Sequence, residues 1–186
     1  MTDVSGRNFG LLIAYVLPGL VSLCGMAELS PVVKSWLLTG SMTGAAAPTV
    51  GGFLYLTLAS VTAGLTASTI RWAVIDRVHH ATGIERPKWN DAVLQEKLDA
   101  FEALVENHYR YYQFYANMVV AIVLLLAARL VVSGGCISQF DSLDGGLLLI
   151  GLVYWAGSRD ALRHYYTRAA FLLGTDEGDE NDDERT

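Results

Sequence analysis

Residues 90–132 read NDAVLQEKLDAFEALVENHYRYYQFYANMVVAIVLLLAARLVV. The spacing predicts one helix of 43 residues, about 65 Å long at 1.5 Å per residue. Its first half is charged and aromatic. Its second half, MVVAIVLLLAARLVV, is apolar enough to sit in lipid. One rod is therefore expected to leave water, cross an aromatic collar and enter a bilayer.

Working outward, three more apolar blocks appear. Residues 9–27 form a first span, kinked by Pro18, with no A-x-A-like cleavage site after it; we read it as retained rather than cleaved. Residues 53–75 form a second span that runs on as a helix to about residue 80, where Thr82-Gly83 ends it. Pro87 and Asn90, with Asn90 or Asp91 as N-cap, set up the third helix. Residues 146–173 form a fourth span and its continuation, closed by Gly174. Between spans one and two lie a small amphipathic helix at 30–38, with Pro31 in its first turn, and the stretch GSMTGAAAPTVGG. That stretch is expected to be an outer loop, with a re-entrant segment as the alternative.

The totals agree. Of 186 residues, 52% are hydrophobic and only 17% charged, against about 25% charged in a soluble domain. The net charge of −6 comes largely from the tail TDEGDENDDERT. It argues against a nucleic-acid-binding fold and predicts a solvated, disordered terminus. Cys24 and Cys136 make neither a zinc site nor a disulfide framework. Both map near the outer face, so a single disulfide stays open.

Lys and Arg set the orientation. Eleven (Arg7, Arg71, Arg77, Arg86, Lys88, Lys97, Arg110, Arg159, Arg163, Arg168 and Arg185) fall on one side, against Lys34 and Arg129 on the other. The positive-inside rule then puts both termini in the cytoplasm, which four spans deliver. The expected fold is an all-α membrane protein with four transmembrane helices, helices 2, 3 and 4 extended into a cytoplasmic bundle. Its parts are 1–70 (spans 1 and 2 with the outer loop), 71–116 (cytoplasmic extension), 117–157 (spans 3 and 4), 158–174 (C-terminal cytoplasmic helix) and 175–186 (tail).

A seam supports the bundle. Leu94, Leu98, Phe101, Val105, His108, Tyr112, Tyr115 and Val119 repeat every 3.5 residues. Ile70, Val74 and Val78, and Leu162, Tyr165, Ala169 and Leu172, are the expected partners. Helix three outreaches these partners at its cytoplasmic end, which suggests pairing with another copy.

Two constellations are candidates for function. Thr57, Ser60, Gly64, Ser68 and Arg71 share one face of span two. They read either as tight small-xxx-small packing or as a pore lining with Arg71 as a positive ring at the cytoplasmic mouth. His108, Arg110 and Tyr112, with Arg163 and His164, interleave basic and aromatic residues at matching depth. They read either as an interfacial belt or as a platform for a nucleotide or oligonucleotide signal. The histidines lack metal-ligand spacing, and no G-x-S-x-G or phosphate-binding loop is present. We expect no enzyme activity, no cofactor and no metal.

In topology and size the chain resembles the small four-span membrane effectors of bacterial anti-phage defence, such as the membrane subunits of Hailong-like and Kiwa-like operons. The resemblance covers span count, length and a cytoplasmic helical part. It implies a bacterial inner-membrane pore or sensor, held closed or opened by a partner's signal. The function expected is an oligomeric ion channel or membrane-depolarising effector gated from its cytoplasmic region. A homo-oligomer is anticipated, a tetramer among the options, with the lipid bilayer and a soluble operon partner as further contacts. The rivals are a non-conducting scaffold or sensor that recruits a soluble partner, and an intramembrane enzyme.

Overall fold

The computed structural model describes residues 3–41, 50–87, 89–136 and 140–174. Most of the Gly/Ala-rich loop, Lys88 and the acidic tail lie outside them. The elements are α1 (Asp3–Leu29), α2 (Pro31–Ser41), α3 (Val50–Ala73), α4 (Ile75–Ala81), α5 (Asp91–Glu96), α6 (Leu98–Leu104), a π-helical turn (Val105–Tyr109), α7 (Arg110–Val132) and α8 (Ser142–Leu173). No β-strand occurs among the described residues. α7 is central: α1 and α8 lie along it, and α3 packs on α1 and more lightly on α7.

Two helical runs, Val50–Ala81 and Leu98–Val132, are long and apolar enough to cross a membrane; α1 adds a shorter apolar stretch, Ile13–Leu29. At 32 and 35 residues, both runs outreach a hydrocarbon core of about 30 Å. Phe53, Leu54, Leu58 and Leu65 on α3, and Leu149, Leu152 and Val153 on α8, face outward at 52–67% exposure. So broad an apolar surface is unusual for a fold surrounded by water and suits one surrounded by lipid.

The single rod is a correction. The helix expected over 90–132 breaks at Lys97 (φ −114°, ψ 27°) and passes through a π turn at Val105–Tyr109. The break lets α5 and the loop before it fold onto the end of α8. There the Lys97 ammonium donates to the Leu172 carbonyl at 2.8 Å, satisfying a C-terminal acceptor. Trp89 from the loop meets Phe101 and Tyr165 edge-on, with ring centroids 5.9 and 6.2 Å away.

The π turn takes up extra chain and rephases the seam. Phe101, Leu104, Val105, Tyr109, Tyr112, Ala116 and Val119 pack the core, so Tyr109 and Ala116 replace the expected His108 and Tyr115. Leu98 is exposed. Across the seam, Leu162, Tyr165 and Ala169 are buried as expected, while in the last turn of α8 Leu173 is the buried residue rather than Leu172. Val74 and Val78 turn outward. The inward face of α3 and α4 is instead Arg71, Ile75 and His79, four residues apart.

The turns behave as their residues require. α4 ends at Thr82, followed by Gly83 at φ +88°, a conformation that suits glycine. Asp141 caps α8 through a reciprocal capping box with Asp144. Gly174, at φ +73°, closes α8 by donating to the Ala170 carbonyl at 3.0 Å.

Candidate functional site

The most concentrated chemistry lies where the apolar part of α3 gives way to the bundle. At Val74 the helix is irregular for one residue (φ −118°, ψ −61°). This brings Asp76, five positions on, back to Arg71: Arg71 Nη1 donates to Asp76 Oδ1 at 3.0 Å and to Oδ2 at 3.3 Å. The Tyr112 hydroxyl of α7 donates to the same Oδ1. The Arg71 guanidinium also stands over the Tyr112 ring, 5.2 Å from its centroid. Arg71 and Tyr112 are both buried. The paired charges cancel, which is the condition for keeping either of them there; deleting one partner of such a pair costs about 3–5 kcal/mol. Arg71 Nε has no partner among the described residues.

One turn further, His79 is fully buried, with its ring 4.6 Å from that of Trp155. The Ser158 hydroxyl donates to the Trp155 carbonyl at 2.8 Å. Its oxygen is then left to accept from His79 Nε2, 3.1 Å away. That fixes the tautomer: Nε2 carries the proton and Nδ1 is a buried acceptor without a described partner. His79 lies past the apolar stretch, and burial, with a smaller push from Arg159, lowers its pKa to about 4. Arg159 in turn donates to the Thr82 hydroxyl and, at 3.2 Å, to the Thr82 carbonyl. α4 is thus clasped to α7 through Asp76 and to α8 through His79 and Thr82. Ser158 is fully buried, and its contact with His79 joins α8 to α4. Below it, burial raises the Tyr165 phenol to about 12, helped by neighbouring Tyr109. Tyr165 thus stays neutral within an aromatic stack formed with Trp89, Phe101, Tyr109 and Tyr166.

The five small-face residues separate. Ser60 and Gly64 are buried against α1: a Cβ on Gly64 would collide with the Tyr15 carbonyl, and one on Gly19 with the Ser60 carbonyl. Thr57 is half-buried, its hydroxyl returned to the Phe53 carbonyl at 2.9 Å. Ser68 is half-buried, and Arg71 is neutralised by Asp76. Within one chain, then, the face is filled by a neighbouring helix.

The platform residues separate too. Tyr112 points into the cluster above, and Arg110 pairs along its own helix with Glu106 at 3.2 Å. His108 instead meets Arg168, Nε2 to Nη1 at 2.6 Å. His164 is exposed and lies 3.5 Å from Asp160, and Arg163 is exposed. Cys24 and Cys136 are exposed free thiols. No group of three His, Cys, Asp or Glu among the described residues is placed to hold a metal ion.

Sequence reasoning missed Asp76, His79 and Ser158. The i, i+4, i+8 run of Arg71, Ile75 and His79 was the signal available for His79, and none pointed to Asp76. Ser158 becomes significant only when α8 is laid beside α4. The chain matches no protein-family model, and no curated protein or solved structure shows significant similarity to it.

Proposed function

We propose that the protein spans the membrane four times, through α1, α3, α7 and α8, with both termini in the cytoplasm. In this reading it is an oligomeric ion-conducting or membrane-permeabilising effector controlled from its cytoplasmic bundle. The observation that carries the proposal is the buried Arg71–Asp76–Tyr112 cluster. It ties the end of an apolar helix to two bundle elements at the level where lipid gives way to water, where a signal in the bundle would have to be passed on. Because α1 fills the Ser60–Gly64 face, a water path would run between copies rather than through one chain. The defence role rests on the likeness in size and span count alone.

Flux from dye-loaded liposomes tests this. Wild type should leak above empty liposomes. Tyr112→Phe, which gives up a hydrogen bond to a charged group worth about 1.5–3 kcal/mol, should raise basal leak several-fold. Inserted protein without flux would sink the pore. The filled small-residue face would then favour the second reading, a non-conducting scaffold or sensor whose bundle recruits a soluble partner.

A further inference from the structure

At the end of the molecule opposite the bundle, a cleft of about 610 Å³ opens between α1, α7 and α8. Its wall on α7 is apolar, with Val123, Leu126 and Leu130 on successive turns, and Leu148 faces them from α8. Val123, Leu130 and Leu148 remain 46–57% exposed, so the cleft holds large apolar surface that nothing in the chain covers. One end is charged. Arg129 lies in the last turn of α7 and Asp144 in the first turn of α8, joined by bonds of 2.5 and 3.3 Å, and Asp141 is 3.1 Å from the same guanidinium. Glu28, near the end of α1, lines the same cleft and is close enough to act on the charge of Arg129. The bonds of Arg129 use its Nε and Nη2, leaving Nη1, and Glu28 is exposed.

We infer that this cleft is a binding site for a phospholipid with a primary-amine headgroup, of the phosphoethanolamine type. The inference rests on the membrane reading above. The two halves of the cleft match the two halves of such a molecule. An acyl chain lies along Val123, Leu126, Leu130 and Leu148 in van der Waals contact. The phosphate meets the free edge of the Arg129 guanidinium, and the ammonium donates to Glu28. Three carboxylates against one guanidinium leave the charged end net negative. An anionic headgroup is therefore disfavoured, and a zwitterion that brings its own ammonium is favoured. A choline headgroup carries the same charges but no N–H to donate, so it should bind more weakly than ethanolamine.

Native mass spectrometry of the full chain in mild detergent, titrated with phosphatidylethanolamine, phosphatidylcholine or phosphatidylglycerol of equal chain length, tests the assignment. The expected result is one retained phosphatidylethanolamine per chain, bound at least five-fold tighter than either competitor. Glu28→Gln, at an exposed position, should remove that preference. Ala127→Trp, exposed in the cleft, should lower retention of all three lipids. Equal retention of the three lipids overturns the inference, as does a preference untouched by both variants or a dimer with no lipid adduct. Flotation with liposomes separates the two claims. Protein that fails to float sinks the membrane reading itself, whereas protein that floats without lipid preference sinks only this site.

Discussion

His79 is a base kept neutral by its surroundings. Its pKa falls from 6.5 to about 4 because burial penalises the charged ring, with Arg159 adding repulsion. Between those values the unfolded chain binds a proton that the folded chain refuses. Stability from this group is therefore complete above about pH 6.5 and is lost as pH falls toward 4. The loss should be on the order of 2 kcal/mol after allowance for screening. Melting temperature in detergent, followed from pH 7.5 to 4.5, should show wild type falling further than His79→Leu. That variant removes the titrating ring without stranding Ser158, whose proton already goes to Trp155. Parallel profiles would show that His79 opens to solvent before it titrates. Arg71 makes the complementary point. As a lone cation at the end of an apolar run, the sequence presents it as a charge facing water. The one-residue irregularity at Val74 brings Asp76 onto it, and no spacing rule for regular helices foresees an i, i+5 pair.

At the scale of elements, the π turn sets which residues of the third helical run meet α8. Deleting Asn107, which is exposed, should remove the residue that the π turn absorbs and leave α6 in phase, whereas inserting one alanine between Leu104 and Val105 should rotate α6 by about 100°. Phe101 and Leu104 would then leave the stack with Trp89 and Tyr165. Hydrogen exchange over 91–104 should rise at least ten-fold while that of 116–128 stays unchanged; equal protection in both would show that the turn is incidental. Helix existence was readable throughout, because hydrophobic period and caps are local: Pro31, Thr82-Gly83 and Gly174 bound helices where their chemistry places them, whereas Asp141 starts α8 at Ser142, ahead of the expected residue 146. The inward face of α8 was readable for the same reason. The break at Lys97 and the rephasing at 105–109 were not. Each answers to a distant partner, the Leu172 carbonyl and the Tyr165 ring, which period counting along one helix cannot see. The candidate site suffered most, since it joins α3, α4, α7 and α8 across up to 79 positions of sequence.

For the molecule as a whole, the proposed topology makes a direct prediction. Epitope tags fused at either terminus should be reached by antibody only after the cell membrane is opened, whereas a cysteine probe at Ser133→Cys, in a Cys24→Ser, Cys136→Ser background, should label from outside. A terminus accessible on intact cells would reverse the assignment of the basic rim and remove the controlling role of the bundle with it. The contact of α1 with α3 bears on how any such control could operate. Gly19 and Gly64 let two backbones approach so closely that neither leaves room for a methyl group. Such a joint tolerates little sliding and no added bulk, so the two helices travel as a single plank. Under the proposed control, movement is expected on the other side of the molecule, where α8 meets α4 and the residue after it through the His79–Ser158 and Arg159–Thr82 contacts.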